Sequence, residues 1–278
     1  GFFNAGELLN IWDRGIKHQG VCSCGQSVDQ CPIWGKVTQE ITRNPGFENA
    51  DVLIGLRDKL ARSSKMPLNM NKKFSEPVSD HDSRVYLDNL AYLYQSVANT
   101  AGCRIIVDSS KNIGYAYYLM KTGIIDLYMV HFIRDSRATA YSWMHKKGDL
   151  FQLNPFQSSK TWNSRNLMAE LVGRQMKGKY LRILYEDFVR EPQKAVRDIM
   201  ALLKEPPESA NEFFVSEQEV KLSPSHLIYG NPDRFKSGVV RLKYDAKWKQ
   251  MRWRHKFTVT AVTWPFLIRY GYPVFSGE

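Results

Sequence analysis

An α/β fold is predicted by three features of the chain. Short runs rich in branched apolar residues read as strands at 104–108 (RIIVD), 127–133 (LYMVHFI) and 180–185 (YLRILY). Longer stretches with helical apolar spacing separate them. Strands alternating with helices imply crossover connections, and crossovers favour a parallel sheet flanked by helices.

In chain order, helices are expected at 5–14, 51–62, 83–101, 112–121, 136–147, 157–177, 187–204 and 256–269. Two polar stretches without a period, 63–77 and 147–160, read as variable loops, which above a parallel sheet usually carry binding function. GRQMKGKY, from Gly173 to Tyr180, fits most of the phosphate-loop pattern. Tyr180 stands where Ser or Thr is required, however, and the segment leads into a strand, so it reads as a helix end with a glycine stop. No repeat interrupts the chain, and residues 1–278 are expected to form a single domain.

Composition narrows the partners. Thirty-nine Lys and Arg against 28 Asp and Glu leave a formal charge of +11, which attracts anions of any kind. No run of five or six basic residues and no RNP-like or zinc-finger spacing occurs, so a small anionic ligand is expected and nucleic acid is not. No window is apolar enough for a membrane span, and the chain reads as soluble and cytoplasmic, with an upstream signal or anchor left open. Three of the four cysteines, Cys22, Cys24 and Cys31, lie close together, and His18 is a candidate fourth ligand. Their spacing is not a standard zinc pattern, so a metal, a disulfide and free thiols all stay open, and no metal is expected as a cofactor.

MVHFIRDSRATAYSW, residues 129–143, raises a sharper question: why would a strand end in arginines? Ligands of open parallel sheets bind at the carboxyl ends of strands, where helix N-termini face anions. Arg134 falls at such an end, with Ser142 two helical turns further on. Guanidinium and hydroxyl could grip one phosphate, each charge-assisted bond contributing about 1.5–3 kcal/mol. Alternatively Asp135 caps the helix while Arg134 and Arg137 are solvated partners of nearby acids, contributing about 0–1 kcal/mol.

VDSSK (107–111), HFIRDSRATAYSW (131–143), LYEDFVREP (184–192), GNPDRFKSG (230–238) and RYGY (269–272), in that order, resemble the signature of the sulfotransferase family, and NAGELLNIW and CSCG…CPIW extend the likeness to the first residues. The resemblance implies a P-loop NTPase-like α/β fold. It also implies transfer of a sulfonate from 3'-phosphoadenosine 5'-phosphosulfate (PAPS) to a hydroxyl or amine acceptor. Arg134 and Ser142 correspond to the pair that holds the 3'-phosphate. Tyr185 resembles a residue near the adenine, or is a core tyrosine at a strand end. Arg234, Lys236 and Gly238 resemble a late basic segment on the same phosphate, although the usual Arg-Lys-Gly contiguity is broken. Glu7 matches the Gly-Glu of tyrosylprotein sulfotransferases, where the Glu is the base; otherwise it is a first-turn glutamate favoured by the helix dipole. Lys111 would neutralise the leaving group or the sulfonate; otherwise it is a solvated lysine at a helix start, where a cation works against the dipole. Asp108 and Ser110 are expected to cap, and His131 to sit in the core.

One part of the signature has no counterpart. The 5'-phosphosulfate loop, a Lys- or Arg-Ser-Gly-Thr sequence after the family's first strand, is expected just before FFNAGE, so the chain reads as a member lacking its first strand and loop, by truncation rather than degeneration. The alternative is a non-catalytic binder of adenosine 3',5'-bisphosphate or another anion. A nucleoside or nucleotide kinase is disfavoured because no Walker loop or Mg²⁺-binding acid is evident.

Overall fold

Phe2–Gly6 forms a strand, β1, paired in parallel with β2 (Ile105–Asp108), with Phe2 opposite Ile105, Asn4 opposite Val107 and, after a one-residue register shift, Gly6 opposite Asp108. The helix expected over 5–14 is therefore corrected. Its first residues are extended, followed by a single 3₁₀ turn at Leu8–Asn10 and a wide π-type turn at Ile11–Lys17. A short helix is costly to nucleate, whereas an extended segment beside β2 gains a ladder at once. The computed structural model describes residues 1–61, 78–145 and 152–274. All of the expected loop at 63–77 and residues 147–151 of the second loop lie outside them.

The chain divides into two compact units, Gly1–Leu127 with Leu222–Gly238, and Tyr128–Lys221 with Val239–Glu278. In the first, α1 (Trp34–Arg43) was not anticipated, although buried Trp34, Val37 and Ile41 carry helical spacing. α2 (Ala50–Leu60) starts at the Asn49 cap. α3 (His81–Ala101) starts at the Asp80 cap and stops at Gly102, whose φ is 58°. α4 (Ile113–Lys121) is capped by Asn112. Trp12, Trp34, Tyr86, Leu90 and Leu93 are fully buried in one core. Ile228, from the returning segment, is buried in the same core.

The second unit is built on β3 (Met129–Ile133) and β4 (Tyr180–Leu184), parallel from Met129 opposite Tyr180 to Ile133 opposite Leu184. Its helices are α5 (Ser136–Met144), α6 (Pro155–Gln175), α7 (Tyr185–Arg190), α8 (Pro192–Leu203) and α9 (Trp253–Arg269). β5 (Phe214–Ser216), β6 (Glu219–Leu222) and β7 (Gly238–Arg241) form a small sheet in that order. Ile133, Trp162, Leu267, Tyr270 and Tyr272 make a core cluster.

Two expected boundaries are corrected here. The helix over 187–204 is two helices, because Pro192 drives Glu191 out of the helical region, to φ −132° and ψ 64°. The loop over 147–160 ends at Asn154, whose side chain and that of Gln157 form a reciprocal capping box with Pro155 at the first helical position.

The fold is thus α/β, with parallel pairing at each of the three strands read from sequence. Among the described residues it occurs as two separate two-stranded ladders, β1-β2 and β3-β4, in place of one continuous sheet. No described helix is long and apolar enough to cross a membrane.

Candidate functional site

At the carboxyl end of β1, Gly6 takes φ +78°, and a Cβ there would meet the Tyr229 carbonyl oxygen at 2.6 Å. The turn it makes aims Glu7. The Glu7 N–H donates to the Tyr229 carbonyl at 3.0 Å. Its carboxylate accepts from Lys111 Nζ at 2.5 Å through Oε1, and from Asn10 Nδ2 at 3.2 Å through Oε2. Two residues 104 positions apart in sequence are thereby brought together at the ends of adjacent parallel strands. Glu7 makes no capping bond of its own. The first-turn N–H groups of Leu8 and Leu9 donate instead to Asp108 at 3.3 Å and Ser110 at 2.9 Å. Asp108 and Ser110 do cap, but they cap the turn after β1. Burial pushes the Asp108 carboxyl above its ordinary pKa, opposed by bonds from Ser110 and from the Tyr94 hydroxyl.

In the second unit, Arg134 follows β3 and is partly exposed. Its guanidinium lies 4.9 Å from the Tyr185 ring centre, over the first residue of α7, and pairs with Asp245 at 3.3 Å. Tyr185 is therefore half-buried beside Arg134 and not lost in a core. Ser142 is exposed on α5, which Asp135 caps through the Arg137 N–H at 2.8 Å. The expectation of a solvated Arg137 is corrected: it is buried, chelates the Asp135 carboxylate through Nε and Nη2 at 3.0 and 2.7 Å, and stacks on Trp248. A buried guanidinium requires such a partner. His131 is buried too, with Nε2 facing Asn166 Oδ1 and Nδ1 facing the Tyr180 hydroxyl, both at 2.8 Å. Asn166 Nδ2 donates to the Trp162 carbonyl, which fixes the amide orientation, so His131 carries its proton on Nε2.

Within the 230–238 segment, Arg234 donates to the carbonyls of Gly230 at 3.2 Å and Val21 at 3.0 Å, and packs on Tyr229 and Phe235. Lys236 pairs with Asp233 at 2.8 Å on the surface. Gly238 takes φ +87°, a conformation that favours glycine.

The cysteines converge, but with a different histidine. His18 turns to Asp13 at 3.2 Å, while Cys22, Cys24, Cys31 and His226 bring their ligand atoms within 4.8 Å of one another. Burial, first of all, pushes the Cys22 thiol up to about 12.

Sequence reasoning missed Asp245 and His226, which lie 111 and 195 residues from Arg134 and Cys31, and nothing local marks either. It also missed Glu186, which accepts from the Asp135 N–H at 3.2 Å and from the Tyr272 hydroxyl at 2.5 Å. Here the signal was available, because Glu186 and Tyr272 belong to the YED and RYGY motifs. In comparisons with known proteins, the chain matches no family model, no curated protein and no solved structure.

Proposed function

We propose that this protein binds PAPS and transfers its sulfonate to a hydroxyl or amine acceptor. The observation that carries this reading is Arg134: a partly exposed guanidinium at a parallel strand end, stacked on Tyr185 and neutralised only by the exposed edge of Asp245 among its described contacts. An exposed ion pair contributes about 0–1 kcal/mol, so a phosphate, with more charge and three acceptor oxygens, displaces Asp245 at little cost. Arg134 and Ser142 take the 3'-phosphate and Tyr185 the adenine side. Arg234 holds the segment that carries Lys236 and Gly238 through the backbone carbonyls of Gly230 and Val21.

In the transfer, the acceptor oxygen or nitrogen attacks sulfur in line. The bond from sulfur to the bridging oxygen breaks, and its electron pair leaves on the 5'-phosphate of adenosine 3',5'-bisphosphate. The acceptor proton passes to the Glu7 carboxylate, and Lys111 offsets the developing negative charge. Their ion pair supports this assignment, since it aims one Glu7 oxygen while leaving Lys111 70% exposed.

Isothermal titration with adenosine 3',5'-bisphosphate tests the reading. Arg134→Ala should lose roughly 10- to 150-fold in affinity, the equivalent of about 1.5–3 kcal/mol, while adenosine 5'-phosphate binding stays unchanged. Equal losses for both ligands would sink it. Intact bisphosphate affinity with no sulfonate transfer would select a binder without turnover instead.

A further inference from the structure

We infer that Cys22, Cys24, Cys31 and His226 form a structural zinc site. Cys22 and Cys24 sit on a tight turn in which the Gly25 N–H donates to the Cys22 carbonyl at 2.9 Å and Gly25 takes φ +89°. Cys31 follows on the turn that leads into α1, its N–H donating to the Ser27 carbonyl at 2.9 Å. These bonds gather three thiols within ten residues. The fourth donor arrives from far along the chain.

Backbone pairing fixes that donor independently of the thiols. Ser23, between the first two cysteines, donates its N–H to the Leu227 carbonyl at 3.1 Å; its hydroxyl accepts from the Leu227 N–H at 2.8 Å and donates to the Ser225 carbonyl at 2.6 Å. The Trp34 indole donates to the carbonyl of His226 itself at 2.5 Å. His226 is thus clamped on both sides, with Nδ1 turned to the sulfurs.

The distances suit a tetrahedral ion. Cys22 and Cys31 Sγ are 3.6 Å apart, and His226 Nδ1 lies 3.3 Å from Cys31 Sγ and 3.9 Å from Cys22 Sγ. Zinc bonds of about 2.3 Å to sulfur and about 2.0–2.1 Å to nitrogen would separate tetrahedral ligands by roughly 3.5–3.8 Å. A disulfide needs sulfurs about 2.05 Å apart and explains neither the third cysteine nor the histidine. Three thiolates and an imidazole are soft donors that select zinc over magnesium or calcium. Four protein ligands leave no position for water or substrate, so the role is structural. Cys22 and Cys31 are at most 2% exposed, while Cys24 and His226 are partly exposed, so the ion would be shielded on the side of the two buried thiols.

The site would staple the Leu222–Gly238 segment to the first turns of its unit. That segment also holds the end of β1: the Ile228 N–H donates to the Ala5 carbonyl, and the Tyr229 carbonyl accepts from Glu7, each at 3.0 Å. Zinc is thereby coupled to the position of Glu7 through two backbone bonds.

The test is elemental analysis of the full chain purified from zinc-supplemented culture, with X-ray absorption at the zinc edge. About one zinc per chain bound by three sulfurs and one nitrogen is expected, unchanged in Arg134→Ala, so the site stands or falls apart from the transfer reading. Cys24→Ser, at the more exposed ligand, should lower the stoichiometry well below one, whereas His226→Cys, which restores a fourth soft donor, should keep the metal with a four-sulfur shell. Metal-free protein with four freely titrating thiols, or a Cys22–Cys31 disulfide found by mass spectrometry, would overturn the assignment, as would a zinc shell lacking sulfur.

Discussion

Arg134 and Asp245 are in contact across 111 residues of sequence, and that pairing sets what single substitutions should do. Asp245 competes with any anion for the guanidinium. The Lys247 N–H and Arg134 together hold its carboxyl below the ordinary carboxylate range, despite the opposing effect of burial. Asp245→Asn should therefore tighten adenosine 3',5'-bisphosphate binding by about 2- to 5-fold, the equivalent of up to ~1 kcal/mol, in the same titration that weakens for Arg134→Ala. Looser or unchanged binding would show that the pair does not gate the anion. Glu7→Gln, assayed in protein that turns over PAPS, should cut turnover by about 10²- to 10⁴-fold with little change in cofactor affinity. Near-native turnover across pH would place the base elsewhere. His131 gives a pH prediction of a different kind. Burial lowers its pKa, only partly offset by Asn166 and Glu170. The unfolded chain therefore takes up the proton first as pH falls below about 6.5, and the stability present above that value is lost on acidification. His131→Gln should flatten this part of the curve of denaturation midpoint against pH.

Elements are held in place here by small residues where two backbones or rings come close. α6 lies against β4 because Gly173 has no side chain: a Cβ would meet the Tyr180 ring at 2.5 Å. Gly173→Ala should destabilise the protein by about 1–3 kcal/mol, read as an earlier urea midpoint, because the ring has to shift. That same ring donates its hydroxyl to His131, so the loss should come with a disturbed imidazole signal in NMR. At the other end of α6, Asn154→Ala removes the cap and should cost about 0.5–2 kcal/mol. The glycine stop read in GRQMKGKY is present, with Gly178 at φ +81° after the helix, and the segment enters β4. Its resemblance to a phosphate loop was a coincidence of composition.

Across the whole molecule, the chain leaves the first unit after Leu127 and returns to it from Leu222 to Gly238. That return carries fully buried Ile228, the Tyr229 carbonyl on Glu7, and His226. A fragment of residues 1–127 lacks all three and should melt without the cooperative transition of the full chain, as followed by circular dichroism. A cooperative melt at the same temperature would mean that the returning segment adds no stability. Net charge acts at this scale as well. An excess of +11 attracts anions over distances that salt screens, so bisphosphate affinity should fall steadily as ionic strength rises, while the discrimination by Arg134 at short range persists.

Local pattern was enough for the α/β class, the three parallel strands, the cap at Asp135, and a core His131, because apolar period and capping chemistry act over a few residues. It also marked the strand end at Arg134. What it missed depended on partners far along the chain. β1 is a strand because β2 stands beside it, Arg137 is buried because Asp135 and Trp248 enclose it, and His226 replaces His18 because Ser23 and Trp34 clamp its backbone beside the thiols. Each of these outcomes is decided by contacts whose sequence separation carries no local signal, and only the folded chain brings them within bonding distance.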